Sequence, residues 1–102
     1  MKYGLSDSQL QEIISILMQC PEIEKAVIFG SRALGTFKEA SDVDIAIFGE
    51  KTDFMTATHV KYELEEESYL PFFFDVIAYS EIDHDALREH IRKFGVVVYG
   101  GG

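Results

Sequence analysis

Gly30-Ser31-Arg32-Ala33-Leu34-Gly35-Thr36-Phe37-Lys38-Glu39-Ala40-Ser41-Asp42-Val43-Asp44 ends one strand, turns a loop and starts another. The apolar run Ala26–Phe29 enters it and the alternating run Asp42–Phe48 leaves it, closed by Gly49. Gly30 and Gly35 keep the loop slim, with room for one helical turn at Ser31–Leu34. The stretch therefore sets a glycine turn beside two carboxylates at a strand start.

Outward from this stretch the pattern is that of a small α/β domain. Ser6 and Gln9 form a capping box ahead of Leu10, Ile13, Ile14 and Leu17, predicting a helix from about residue 7 to Cys20, ended by Pro21. Asp53 caps a second helix whose buried stripe is Ala57, Val60 and Leu64. Its Glu63, Glu65, Glu66 and Glu67 read as a solvated face. Phe72–Tyr79 predicts a third strand, and Ser80 a cap for a last helix with Leu87, Ile91 and Phe94 inward and Gly95 as its stop. Val96–Tyr99 adds a short edge strand. The fold class is α/β (α+β): a small sheet with helices packed mainly on one face. Residues 1–99 form one domain, and 100–102 a flexible glycine tail.

The 102 residues leave no room for a second core, and eight Phe and five Tyr supply enough apolar surface for one. Cys20 has no disulfide partner, fits a reducing compartment and reads as a buried helix-end residue. With no basic start followed by an apolar run, and no stretch of membrane-spanning length, the expected location is the cytoplasm, away from membranes. A formal net charge of −9 argues against sequence-independent nucleic-acid binding, which needs Lys and Arg on phosphates. Basic residues near the loop are few: Arg32, Lys38 and Lys51.

Residues two apart on a strand share a face, so Asp42 and Asp44 project together, roughly 6.5 Å apart at Cα. Val43 and Ile45 then point into the core. Such a pair can hold divalent cations about 3.5–4 Å apart, the spacing of two-metal phosphoryl chemistry, and Mg²⁺ suits sparse carboxylate sites. Alone, an Asp-x-Asp is common on solvated strand faces. Asp75 adds to it, because in Phe72-Phe73-Phe74-Asp75-Val76-Ile77 a carboxylate is predicted to be buried and needs compensation, by metal or by an arginine or backbone N–H groups. If its strand neighbours Asp42–Phe48, three carboxylates converge and a cation relieves their repulsion. Gly30 lets backbone approach a phosphate, and Ser31 can donate its hydroxyl. Ser41 either orients Asp42 or starts the strand.

Taken together, Gly30-Ser31-Arg32-Ala33-x-Gly35, Ser41-Asp42-Val43-Asp44 and the apolar-flanked Asp75 resemble the DNA polymerase β-like nucleotidyltransferase superfamily, and within it the minimal (MNT) branch. The resemblance covers nearly the whole chain, including Ile91–Tyr99. Leu34 departs from it, standing where related sequences often carry a basic or polar residue. The resemblance implies a polymerase β-like fold that binds ATP and Mg²⁺, two ions, and attaches a nucleotide to a hydroxyl. It implies Asp42, Asp44 and Asp75 as catalytic metal ligands and Gly30, Ser31 and Arg32 as nucleotide-binding residues. It also implies a HEPN-domain partner, a toxin adenylylated on tyrosine by its antitoxin.

Other readings stay open at this point: transfer to a small molecule or an RNA end, inhibition of a partner by contact alone with a vestigial metal site, or an incidental acidic cluster. His59, His84 and His90 lack i, i+3 or i+4 spacing and read as surface or helix-packing residues. Tyr62 and Tyr69 read as core or rim packing before adenine stacking, and Arg88, Arg92 and Lys93 as cations suited to a helix C-terminus.

Overall fold

The computed structural model describes residues 1–101. In order these form α1 (Asp7–Met18), β1 (Lys25–Phe29), α2 (Ser31–Leu34), β2 (Val43–Phe48), α3 (Phe54–Glu66), β3 (Phe74–Ala78), a 3-10 turn (Tyr79–Glu81), α4 (Asp85–Phe94) and β4 (Val96–Gly100). The strands make one mixed sheet in the order β3-β2-β1-β4. Only the β2–β3 pair is parallel, because α3 carries the chain back across the sheet between them.

Local signals start two helices where the sequence predicts. Ser6 Oγ accepts from the Gln9 N–H at 3.1 Å while Gln9 Oε1 accepts from the Ser6 N–H at 2.9 Å. Asp53 and Thr56 make the same reciprocal pair at the head of α3. Each box satisfies N–H groups that the first helical turn leaves without partners.

Alternation then divides the sheet. Ala26, Ile28, Val43, Ile45, Ile47, Phe74 and Val76 face α1 and α3, meeting Ile13, Leu17, Ala57, Val60 and Leu64 in the main core. Val27, Phe29 and Ala46 face the other way and meet Ile91 of α4. Two helices thus cover one face and one helix part of the other. By the same alternation Asp44 and Asp75 lie on the lightly covered face.

Several boundaries differ from the sequence-based expectation. Ser80 sits inside the 3-10 turn and does not cap α4; His84 does, its Nδ1 accepting from the Leu87 N–H at 3.3 Å. Phe94, expected inward, is exposed, while Ile91 is buried and Leu87 half-buried as expected. Gly100, assigned to a tail, pairs with Lys25 as the last residue of β4; Gly102 lies outside the described residues. Gly95 does end α4, but with extended backbone. Its lack of a side chain answers a close approach, because a Cβ there would stand 2.4 Å from both the Ile91 carbonyl oxygen and Val27 Cγ1. Gly95→Ala is therefore expected to destabilise the fold by about 1–3 kcal/mol through overpacking, read as a lower urea midpoint with unchanged slope.

Candidate functional site

The loop after β1 is built around a buried cation. Arg32, the second residue of α2, is 2% exposed. Its Nη1 donates to the Tyr3 carbonyl at 2.9 Å, and its Nη2 to the Ser41 carbonyl at 2.8 Å and the Glu39 carbonyl at 3.4 Å. The guanidinium also lies between the rings of Phe37 and Phe72, 5.0 and 4.9 Å from their centroids. Expected at the phosphates, Arg32 is instead committed to the interior, where it fixes the carbonyl immediately before Asp42. Ser41 closes the same turn, its Oγ accepting from the Lys38 N–H at 2.8 Å.

One hydrogen bond then fixes how the aspartate strands align. The Val43 N–H donates to the Phe73 carbonyl at 3.0 Å, setting a parallel register in which Asp44 stands directly opposite Asp75. Phe29 stands opposite Asp44 on the other side. Asp42 is exposed just before β2, and Asp44 is half-buried. Asp75 stands beside Asp44 across the strand pair, but not as a buried carboxylate. It is exposed, because the triple phenylalanine alternates instead of burying as a block: Phe74 is buried while Phe73 is 73% exposed.

Asp44 is the strained member. Burial, then the Asp75 and Asp42 charges, push its carboxyl up to about 6, against the opposing influence of His90 and Arg32. Its Oδ2 lies where a Gly30 Cβ would be, 2.2 Å from that position. Gly30 itself holds φ 73° and ψ −152°, a conformation open to glycine alone. Both facts require glycine there, and both place the turn against the carboxylate.

His90, read from sequence as a packing residue, reaches this turn from α4. Its Nε2 accepts from the Gly30 N–H at 3.0 Å, which requires that nitrogen to be unprotonated. Its ring meets Phe29 edge-on and also lies against Phe94, one helical turn further along. Tyr69 is 98% exposed and Tyr62 half-exposed, so neither packs in the core.

The three carboxylates supply only hard oxygen donors. Among the described residues no group of three or more His, Cys, Asp or Glu side chains is gathered closely enough to hold a metal ion. An open carboxylate set still fits Mg²⁺, which keeps waters and takes substrate phosphates to complete its octahedron. Among the described residues no helix is long and apolar enough to cross a membrane.

Residues 11–101 match the family described as Polymerase beta, Nucleotidyltransferase. A relative from Methanocaldococcus jannaschii, named as a candidate protein adenylyltransferase, is 40% identical over 89 residues, 86% of this chain and 91% of its own. A Haemophilus influenzae relative, named as a candidate protein adenylyltransferase MntA, is 35% identical over 95 residues, 92% and 82% of the two chains. Among solved structures, a tri-AMPylated Shewanella oneidensis HEPN toxin in complex with MNT antitoxin gives a TM-score of 0.72 at 18% identity, covering 94% of this chain and 73% of the matched one. A toxin–antitoxin complex with AMP-PNP gives 0.72 at 20% identity, covering 94% and 74%. At such identity the structural likeness speaks to fold.

The raised Asp44 carboxyl has a measurable sign. Its folded pKa of about 6 lies above the ordinary 3.8, so the folded state holds that proton more tightly. The contribution is full below the unfolded pKa and lost as pH rises through about 6. Without metal, Asp44→Asn should therefore melt higher than the parent near neutral pH. The gap should close as the buffer is taken down through 6 towards 4, read from paired melts across a pH series.

Proposed function

The chain belongs to the polymerase β nucleotidyltransferase family, and from that premise we propose that it transfers AMP from ATP to a tyrosine hydroxyl of a HEPN-domain toxin and so acts as its antitoxin. The observation that carries the reading is the register of Asp44 against Asp75 with Gly30 pressed on Asp44. It combines a close backbone approach for phosphates with carboxylates at one spot. The candidate protein adenylyltransferases among its relatives, and an AMPylated toxin partner among its structural neighbours, support the choice of group and acceptor.

On this reading Gly30 and Ser31 seat the β- and γ-phosphates at the turn that His90 holds from behind. Arg32 acts through the chain: by holding the Ser41 carbonyl it sets the direction in which Asp42 leaves the loop. Asp42, Asp44 and Asp75 would hold Mg²⁺, two ions, which when bound supply charge neutralisation along the triphosphate and acidify the acceptor. The acceptor oxygen attacks the α-phosphorus in line; the new P–O bond forms as the bond to the bridging oxygen breaks, and pyrophosphate leaves. The hydroxyl proton passes to the exposed Asp75 carboxylate and on to water.

Incubation of the chain with its cognate HEPN-domain protein, ATP and Mg²⁺ should add one AMP mass, or multiples, to the partner in intact-mass spectra. Asp42→Asn with Asp44→Asn should abolish that addition while the fold persists, since each exchange is nearly isosteric and removes a repelling charge. A tight complex without added mass would assign inhibition to contact alone. Separately, Mg²⁺ or Mn²⁺ should raise the melting temperature, and ATP raise it further, because ligands bound only by the native state stabilise it by RT ln(1 + [L]/Kd). A melt indifferent to both would remove the metal assignment.

A further inference from the structure

β3 ends the sheet, and its outer edge faces a groove instead of another strand. The groove holds about 640 Å³ and runs between α3 and the segment before and into α4, lined by Phe54, Ala57, Thr58, Ile82 and Leu87, with Asp75 on its wall. The register fixes which backbone groups look into it. The Phe73 carbonyl bonds β2, so Phe73, Asp75 and Ile77 turn their N–H and C=O inward, while Phe74, Val76 and Ala78 turn theirs to the free edge.

Only the first of these three is capped by side chains. The Phe74 N–H donates to Glu65 Oε2 at 2.6 Å, and Lys61 Nζ donates to the Phe74 carbonyl while pairing with Glu65 at 2.7 Å. Glu65, expected on a solvated face, is thus drawn to the sheet edge; burial opposes its charge, but the Lys61 and Phe74 bonds outweigh it and hold its carboxyl below the usual range. Among the described residues no side chain caps Val76 or the Ala78 N–H in the same way, while the Ala78 carbonyl caps the 3-10 turn that follows. The edge is therefore closed at one end and left open alongside Asp75.

We infer that the protein acceptor docks here as an added strand, pairing its backbone with Val76 and Ala78 so that its tyrosine lies beside Asp75. The inference rests on the transfer reading and specifies how the acceptor is held. Bare edge amides in an apolar channel select an extended backbone. Strands pair at about 4.8 Å, so a residue on the new strand sits one spacing from Asp75, as Asp44 does on the opposite side. A side chain as long as tyrosine, leaning across Asp75, brings its oxygen to the Asp44 side; serine stops short. The rim carries Asp75, Glu81 and Asp83, against His84 and a Lys61 already paired with Glu65, and the chain's net charge is −9. The segment it accepts is accordingly neutral or basic.

Amide exchange by NMR, with and without the cognate HEPN-domain protein, reads the edge directly. The Val76 and Ala78 amides should exchange fast in the free chain and at least tenfold more slowly in the complex. Val76→Pro removes an outward N–H without touching the β2 ladder, and Thr58→Trp fills the groove from the exposed side of α3 should the proline variant fail to fold. Both should lower AMP transfer to the HEPN protein by tenfold or more, while the melting shift produced by Mg²⁺ and ATP stays at the parent value. Parent-level transfer in a folded variant, or edge amides equally fast in free and bound states, would overturn the docking mode while leaving the enzyme reading intact. Protection that grows with concentration of this chain alone would give the edge to a second copy and overturn it too. A parent chain that binds ATP but transfers nothing would sink the enzyme reading, and this inference with it.

Discussion

The geometry of the carboxylates depends on β2 having nowhere to go. It is hydrogen-bonded on both sides, antiparallel to β1 and parallel to β3, and Val43, Ile45 and Ile47 are wholly buried against α1 and α3. A slip of one residue would turn that apolar row out and drive Asp44 into the core. The strand therefore cannot relax the repulsion it creates by placing Asp44 beside Asp75. Stability from the apolar face holds an unfavourable charge arrangement on the other, and the raised Asp44 carboxyl measures that conflict.

A second constraint governs the loop. The Ser31–Leu34 turn is too short to be a stable helix alone, and it is held from both ends. His90 takes the Gly30 N–H on one side, and Arg32 ties the turn to Tyr3, Glu39 and Ser41 on the other. Burying a guanidinium is tolerable only because backbone carbonyls and two aromatic rings surround it. The N-terminal turn before α1 is part of this cage: a Cβ on Gly4 would stand 2.5 Å from Arg32 Nη1. The segment furthest from the aspartates in sequence thus helps set the direction of Asp42.

What the sequence made legible was local. The two capping signals, the short turn at Ser31–Leu34 and the start of β2 follow from patterns of a few residues, and the family resemblance came from that loop together with Asp75 and the closing segment Ile91–Tyr99. The proximity of Asp75 to Asp44 followed from expecting its strand beside β2, and the register agrees; its expected burial did not hold, since Phe73 and Phe74 point to opposite sides. The contacts of Arg32 and His90 were not legible because their partners lie far along the chain. Tyr3 is 29 residues from Arg32, and His90 is 60 from Gly30. No composition rule says which arginine will meet which carbonyl; only the closed fold does.

The interior placement of Arg32 sharpens the electrostatic position of this domain. A strongly acidic chain repels a triphosphate, and the guanidinium nearest the turn is occupied with carbonyls. On the proposed reading, neutralising charge must come from outside, from the cations that accompany ATP and from a basic acceptor lying along β3. Each lowers the repulsion felt by the other, so the two binding events are coupled, and linkage makes that coupling reciprocal. An acceptor that raises the affinity for ATP is held more tightly once ATP is bound. On that reading a domain of this size stays nearly idle alone and engages nucleotide when the acceptor is present: the switch is the charge balance around Asp42 and the two aspartates, Asp44 and Asp75, that the strand register holds side by side.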